Sequence, residues 1–344
     1  MKIAIDKHSL SIVDDKNDYV YLFDNEKYED LPKLHCLDYR YCDYVDINLT
    51  DYYIECIKKA KITDEDCLQL PEKKDYKFAI IIPNYNNDIG DYNGKSFLRN
   101  CIESVLNQTY KDFKLILVDD CSNDTSRETM KSYKDDRVII IENIRKRYNG
   151  GSRNAGIEYA LKNLDFDYFC FLDSDDWWKD EHVLELINSR LYNHEMMTLG
   201  CEMLSKKGVT YTSKNEAKCY EDLWSLNNNL WCTAWARVIR KDKIAYFCED
   251  TLMEDRVWTY KIADNINFNN VINLKKVVYV WNRTNTTNSV SMVRNDYWNA
   301  SAYCHIGHQL QLITMMKHKE MIPKIEERVK ACIEKVGRHI YQQY

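Results

Sequence analysis

Four apolar runs, each stopping abruptly in polar residues, set the strongest limit on what this chain can fold into. They are Phe78-Ala79-Ile80-Ile81-Ile82, Lys114-Leu115-Ile116-Leu117-Val118, Val138-Ile139-Ile140-Ile141 and Phe169-Cys170-Phe171-Leu172. Runs this short and this uniformly apolar read as strands buried on both faces. Helical spacing fills the gaps between them. Leu98, Ile102, Val105 and Leu106 share a face between Ser96 and Asn107, and Ala155, Tyr159, Ala160 and Leu164 do so after Ser152, which is placed to cap that helix. Strands alternating with helices predict an α/β fold built on a mostly parallel, doubly wound sheet. Ligands of such sheets bind beyond the carboxyl ends of the strands, so the residues following each run are the candidate site.

The remaining elements are read the same way. Pro83 is expected to stop the first strand, because it lacks a donor. Further expectations are a helix over 181–192, strands over 196–203, 231–239 and 277–281, and a helix beginning near Met253. Beyond Asp296 the chain reads as helical to its end, with a break near Pro323. Residues 1–75, rich in Tyr, Asp and Lys, read as an appended lobe, with a strand over 19–23 and a helix over 51–61 capped by Thr50, and a second helix start at Thr63. His35, Cys36 and Cys42 fit no zinc spacing. The expected division is an appended lobe over 1–75, the α/β domain over 76–295, and a helical extension over 296–344.

Composition narrows the class. At 344 residues and 45% hydrophobic, the chain has material for a sizeable core. A net charge of -6 argues against a general binder of nucleic-acid backbone, while leaving room for one local basic groove. Thirteen cysteines without paired spacings read as reduced thiols. No stretch has the form of a signal peptide or approaches the roughly 20 apolar residues of a membrane span. A soluble, cytoplasmic protein is the expectation.

Each strand end admits two readings. At Pro83-Asn84-Tyr85-Asn86, Tyr85 is either a turn residue or a ring on which a planar base can stack. Asp119 and Asp120 either cap a helix or accept N–H groups of a base. Asn149-Gly150-Gly151-Ser152-Arg153-Asn154 is either an ordinary loop or a phosphate cradle at a helix start, with a guanidinium added. Asp173-Ser174-Asp175-Asp176 is either a solvated, helix-capping turn or a cluster whose repulsion a divalent cation offsets.

Taken together, these segments resemble the GT-A glycosyltransferases, specifically the large inverting family 2. The matching text is FAIIIPNYNN, SFLRNCIESVLNQTYKDFKLILVDDCSNDTS, NGGSRNAGIEYAL, YFCFLDSDDWW, MEDRVWTY and YVWNRTNTTNSVS, running from about Lys77 to Ser291. The resemblance implies a GT-A (Rossmann-like) fold and a donor site of Pro83, Tyr85, Asn86, Asp119, Asp120, Gly151, Arg153, Asn154, Asp173, Ser174, Arg283 and Ser289. Tyr85 would stack near the base, and Asp120 would accept a hydrogen bond from it. Asp175, with Asp173, would hold a divalent metal, Mn²⁺ or Mg²⁺. Asp255 would be the catalytic base with Glu254 beside it, and Arg283 with the serines near 289–291 would close over the diphosphate. Trp235, Trp177 and Asp176 would lie on the acceptor side. The sequence departs from the family where Cys121 stands in place of the more usual glycine, and in the long loop 86–95.

The implied reaction is single-displacement transfer of a sugar from a nucleotide-diphosphate sugar, with UDP expected, to an acceptor hydroxyl. It needs a stabilised leaving group and one carboxylate base on the opposite face. Two alternatives remain. A sugar nucleotidyltransferase would carry a glycine-rich basic loop after the first strand, where this chain reads Pro-Asn-Tyr-Asn-Asn. A silent nucleotide-sugar-binding scaffold would have no use for mutually repelling carboxylates. The acceptor is open: a glycan, a polymer, a protein, a nucleic-acid base, or a lipid-linked sugar met by peripheral membrane contact.

Overall fold

The structure is a computed structural model and describes residues 2–5, 9–13, 20–24, 68–69, 75–90, 92–146, 148–213, 215, 217, 220–223, 233–284 and 296–341. The chain divides into two compact units, Met1–Asp75 with Leu186–Asn193, and Tyr76–Glu185 with His194–Tyr344. In the first unit, β1 (Lys2–Ile5), β2 (Ser9–Val13), β3 (Val20–Asp24) and β4 (Leu68–Gln69) form an antiparallel sheet in chain order. The expected helix over 51–61 with its Thr50 cap, the helix start at Thr63, and His35, Cys36 and Cys42 lie outside the described residues.

The second unit is built on a nine-stranded sheet. Its strands are β5 (Phe78–Asn84), β6 (Phe113–Asp119), β7 (Val138–Glu142), β8 (Tyr168–Phe171), β9 (Trp177–Trp178), β10 (Met196–Ser205), β11 (Gly208–Ser213), β12 (Arg237–Arg240) and β13 (Val271–Asn282). The order is β7-β6-β5-β8-β12-β10-β13-β9, with β11 pairing β10. The strands β7, β6, β5 and β8 are mutually parallel, and these are the four apolar runs. The far half is mixed: β12 runs antiparallel to both β8 and β10, β13 parallel to β10, and β9 antiparallel to β13.

Helices α1 (Phe97–Leu106), α2 (Ser126–Ser132), α3 (Asn149–Asn163), α4 (Val183–Arg190), α5 (Glu254–Asn265), α6 (Asp296–Met315) and α7 (Ile322–Tyr341) complete the fold. Every residue of β5 is buried, as an apolar run covered on both faces requires. Ala79, Ile81, Ile116 and Val118 pack with Ala155, Ile157 and Ala160 of α3 in the main core. Ser96 caps α1 by accepting the Arg99 N–H, and Phe97, Leu98, Cys101, Ile102 and Val105 form its buried face.

Several local expectations change. The first strand continues through Pro83 to Asn84, paired to β6. Proline is tolerated there because the β8 partner of β5 ends at Phe171, opposite Ile81, so no ladder bond is lost on that side. Helix α3 starts at Asn149, not after Ser152, and Ser152 is buried inside it, donating to the Tyr148 carbonyl at 3.1 Å. The strand expected over 231–239 reduces to Arg237–Arg240, preceded by a single helical turn at Ala234–Ala236, while 231–232 lie outside the described residues. The break near Pro323 falls before it, at 316–321. Pro323 sits in the first turn of α7, where its missing N–H has no helical partner to lose. Asp264 fixes that break by accepting the Lys317 and His318 N–H groups at 2.9 and 2.8 Å.

Helices α6 and α7 are not a detached tail. Ile306, Leu312, Met316, Ile325 and Val329 join the main core, and Ser301 accepts the Leu252 N–H at 2.6 Å.

Candidate functional site

The turn after β8 and the start of α5 converge on one guanidinium. Arg153, in the second turn of α3, is 1% exposed. Its Nη2 donates to Asp173 Oδ1 at 2.6 Å, and its Nη1 donates to Glu254 Oε1 at 2.8 Å and Asp255 Oδ1 at 3.1 Å. The guanidinium lies over the Phe247 ring, 5.3 Å from its centroid, and Phe247 in turn stacks on Trp258 at 4.6 Å. Burial opposes the charge on Arg153, but Asp255, Asp173 and Glu254 outweigh that effect and raise its pKa further above the usual range.

Three carboxylates around one cation leave an excess of negative charge. Burial is the largest cause raising Glu254, with Asp255 adding to it; burial likewise raises Asp255, Arg153 opposing and Asp173 adding. The two differ in access. The Glu254 side chain is 8% exposed and that of Asp255 is 23% exposed, so Asp255 presents an edge to a ligand and Glu254 does not.

The glycines before Arg153 act by close approach. A Cβ on Gly150 would stand 2.2 Å from the Cys248 carbonyl oxygen, and one on Gly151 would stand 1.8 Å from that of Lys146. They form the first turn of α3, where the sequence admitted either an ordinary loop or a helix start. Asn154, read as a donor contact, is spent internally, donating to the Phe247 carbonyl and Glu249 and accepting the Phe247 N–H.

At the β6 end, Asp119 accepts the Ser122 N–H and Arg127 Nε, the latter at 2.6 Å. Asp120 accepts Asn143 Nδ2 at 2.6 Å and the Tyr148 N–H at 2.7 Å, tying β6 to the start of α3. Cys121 takes the left-handed conformation, φ 63°, so the turn keeps the backbone a glycine would adopt. Tyr85 is 42% exposed at the β5 end. Asn86 joins the two loops: its Oδ1 accepts the Asn123 N–H at 2.8 Å and its Nδ2 donates to Asn123 at 2.7 Å. The long loop 86–95 docks inward, with Asn87 donating to Ser174 at 2.7 Å and Tyr92 packing on Trp177 with ring centroids 4.5 Å apart.

The acidic turn divides. Asp173 and Asp175 are partly exposed, whereas Ser174 and Asp176 are buried. Asp176 accepts the Tyr279 hydroxyl at 2.7 Å and the Asn282 N–H at 2.7 Å. Tyr279 also accepts the Asp173 N–H at 3.2 Å, and its ring stacks on Trp235 at 4.4 Å. Asp176, Trp235 and Trp177, expected on the acceptor side, are therefore packed inside the site wall, 1%, 2% and 8% exposed. The loop 86–95 covers Trp177, and β13 covers Asp176 and Trp235. Arg283 follows β13 and lies over the Trp281 ring at 5.1 Å; Ser289 is outside the described residues. Sequence reading missed Tyr279, Asn87, Asn143 and Phe247. Each reads as ordinary strand or loop, with no local signal of its partner.

Fold and site together define an α/β domain of the GT-A kind, with carboxylates gathered beyond the carboxyl ends of parallel strands. Residues 79–238 match the family model of glycosyl transferase family 2. A poly(ribitol-phosphate) beta-glucosyltransferase of Bacillus spizizenii is 28% identical over 53% of this chain and 29% of that protein. The UDP-Glc:alpha-D-GlcNAc-diphosphoundecaprenol beta-1,3-glucosyltransferase WfaP of Escherichia coli is 40% identical over 26% of this chain and 34% of that protein. The chain thus spans about a third of the length of these curated relatives. Among solved structures, S. aureus TarS 1-349 in complex with UDP-GlcNAc superposes with a TM-score of 0.54 at 19% identity, over 68% of this chain and 66% of that one. That likeness is one of fold.

Proposed function

We propose that the chain transfers a sugar from a UDP-sugar to an acceptor hydroxyl by inverting single displacement, with Asp255 as general base. The observation that carries this reading is the Arg153 hub, which brings Asp173 of the turn after β8 and Asp255 of α5 onto one guanidinium. A base for such a reaction must be within reach of the acceptor, close to the donor, and basic enough to take a proton; Asp255 is partly open, adjacent to Asp173, and raised by burial. Glu254, buried on the same guanidinium nitrogen, orients the pair. The UDP carrier is supported by the relative named for UDP-Glc and the fold neighbour holding UDP-GlcNAc.

A divalent ion fits the donor side in composition. Among the described residues no group of three or more His, Cys, Asp or Glu side chains is arranged to hold a metal. Mg²⁺-type sites on diphosphates use one or two carboxylates, the rest being phosphate oxygens and water. Asp175 and Asp173 would supply the two carboxylates, since both oxygens of Asp176 already accept protein donors. The ion would neutralise charge growing on the departing diphosphate. Arg283 would close on the same group.

The acceptor is proposed to be a glycan or glycan-bearing polymer, in keeping with the relatives' names. No described helix is long and apolar enough to cross a membrane. The test is transfer from UDP-sugars to a panel of such acceptors with Mn²⁺ or Mg²⁺. Asp255→Asn is expected to lose transfer by about 10²–10⁴-fold while keeping UDP binding. Full activity in that variant removes the assigned base.

A further inference from the structure

A chain of hydrogen bonds runs behind the acidic turn and out to the segment carrying Arg283. The Asp173 N–H donates to Tyr279 Oη at 3.2 Å, Tyr279 donates to Asp176 Oδ2 at 2.7 Å, and the Asn282 N–H donates to Asp176 Oδ1 at 2.7 Å. Asn282 Oδ1 then accepts the Thr284 N–H and hydroxyl at 3.0 and 2.6 Å, enclosing Arg283 between two fixed residues. The backbone supports the same link, since Tyr279 and Val280 of β13 pair with Trp178 and Trp177 directly after Asp176.

Stability gives no reason for this arrangement. Asp176 is buried beside Asp173 and Asp175, and a buried carboxylate among like charges contributes less to folding than an apolar residue of its size. Its value is positional: both of its oxygens hold β13, one through Tyr279 and one at Asn282, where the strand ends. The Tyr279 ring is clamped on Trp235 at an interplanar angle of 5°, so its hydroxyl is a rigid reference point.

We infer that Tyr279 and Asp176 are positioning residues, which set the Asp173–Asp175 turn and the take-off of the Arg283 segment in one register so that a donor diphosphate meets both together. The inference rests on the proposed donor site. It places specificity for the diphosphate in residues that never touch it, and it separates Asp176 from the two carboxylates that face the ligand.

The experiment is calorimetric UDP binding, with Mn²⁺ and with EDTA, alongside transfer kinetics for wild type, Tyr279→Phe, Asp176→Asn and the double variant. Tyr279→Phe keeps the ring stack and removes only the hydroxyl. It is expected to weaken Mn²⁺-dependent UDP binding about tenfold and raise donor KM equally, the loss of one well-placed bond, with acceptor KM and Tm unchanged. The double variant is expected to be no weaker than the more affected single one, because both break one chain. Unchanged UDP affinity in folded Tyr279→Phe overturns the inference, as does a loss that follows Tm for both substrates. Asp255→Asn, kept as a control, should bind UDP like wild type. A wild-type protein that binds neither UDP nor GDP with metal overturns the proposed donor site and this inference together.

Discussion

Asp173 and Asp255 bond to opposite ends of the same guanidinium, at 2.6 Å on Arg153 Nη2 and 3.1 Å on Nη1. One residue follows the β8 strand and the other opens α5, so a single buried cation holds the proposed donor side against the proposed base. Removing it leaves buried carboxylates without a counter-charge. Arg153→Met is expected to destabilise the fold by about 3–5 kcal/mol in urea denaturation. Arg153→Lys restores the charge without the fork, and should recover part of the stability but little activity. Wild-type stability in Arg153→Met would contradict the hub.

The pH dependence of transfer follows from the same cluster. Asp255 must be ionised to act as base, and burial with Asp173 nearby holds it above the ordinary carboxylate range. The acid limb of kcat/KM is therefore expected above pH of about 4, the reference carboxylate value, with rate rising as pH rises through it. Burial and Asp255 raise Glu254 further, so it is neutral where Asp255 titrates, and Glu254→Gln should leave that limb in place. A limb that moves to lower pH in that variant contradicts this order of ionisation.

His305 predicts a second, independent pH effect, on stability. It is fully buried on α6 with both ring nitrogens unpartnered among the described residues, and its pKa is lowered to about 4 by burial, then by Arg256, His308 and Arg328. The unfolded chain, with a histidine near 6.5, binds the proton between those values while the folded chain does not. Stability from this residue is thus complete above about pH 6.5 and is lost as pH falls toward 4. His305→Leu should flatten Tm across that window and cost nothing at pH 7, gaining about 1 kcal/mol from removal of an unsatisfied polar group.

Cys121 stands in left-handed backbone at φ 63°. That conformation costs a side-chain-bearing residue about 1–2 kcal/mol, against about 0.5–1 kcal/mol of added backbone entropy for glycine. Cys121→Gly is expected to stabilise by about 0.5–1 kcal/mol in chemical denaturation, with UDP binding retained.

Gly151 has the opposite requirement. An added Cβ would meet the Lys146 carbonyl oxygen at 1.8 Å, a backbone atom that cannot move aside cheaply. Gly151→Ala is expected to cost at least about 2 kcal/mol and to disturb the Tyr148–Asp120 bond, visible as weakened UDP binding in calorimetry.

Much of the donor half was legible because its cues are local. The four apolar runs became β5 to β8, the helix expected between Ser96 and Asn107 became α1, and the polar residues after each run fell at neighbouring strand ends. The far half was less legible. Trp231–Ile239 looked like one strand, yet Ala234–Ala236 turns before Arg237, because Trp235 is drawn onto the Tyr279 ring. Aromatic and polar residues alternate there for reasons that lie on another strand.

What the sequence by itself determined was which residues end the strands and which carry charge: the run that stops at Asp173-Ser174-Asp175-Asp176 admitted two readings alone and became a candidate site only beside the other strand ends. Tertiary structure decided how those carboxylates divide. Asp173 turns to Arg153, and Asp176 turns inward to Tyr279 and Asn282, because β13 is paired to β9 just beyond it. Neighbouring residues on one turn point to different partners, and only the packing of distant strands determines which partner each one meets.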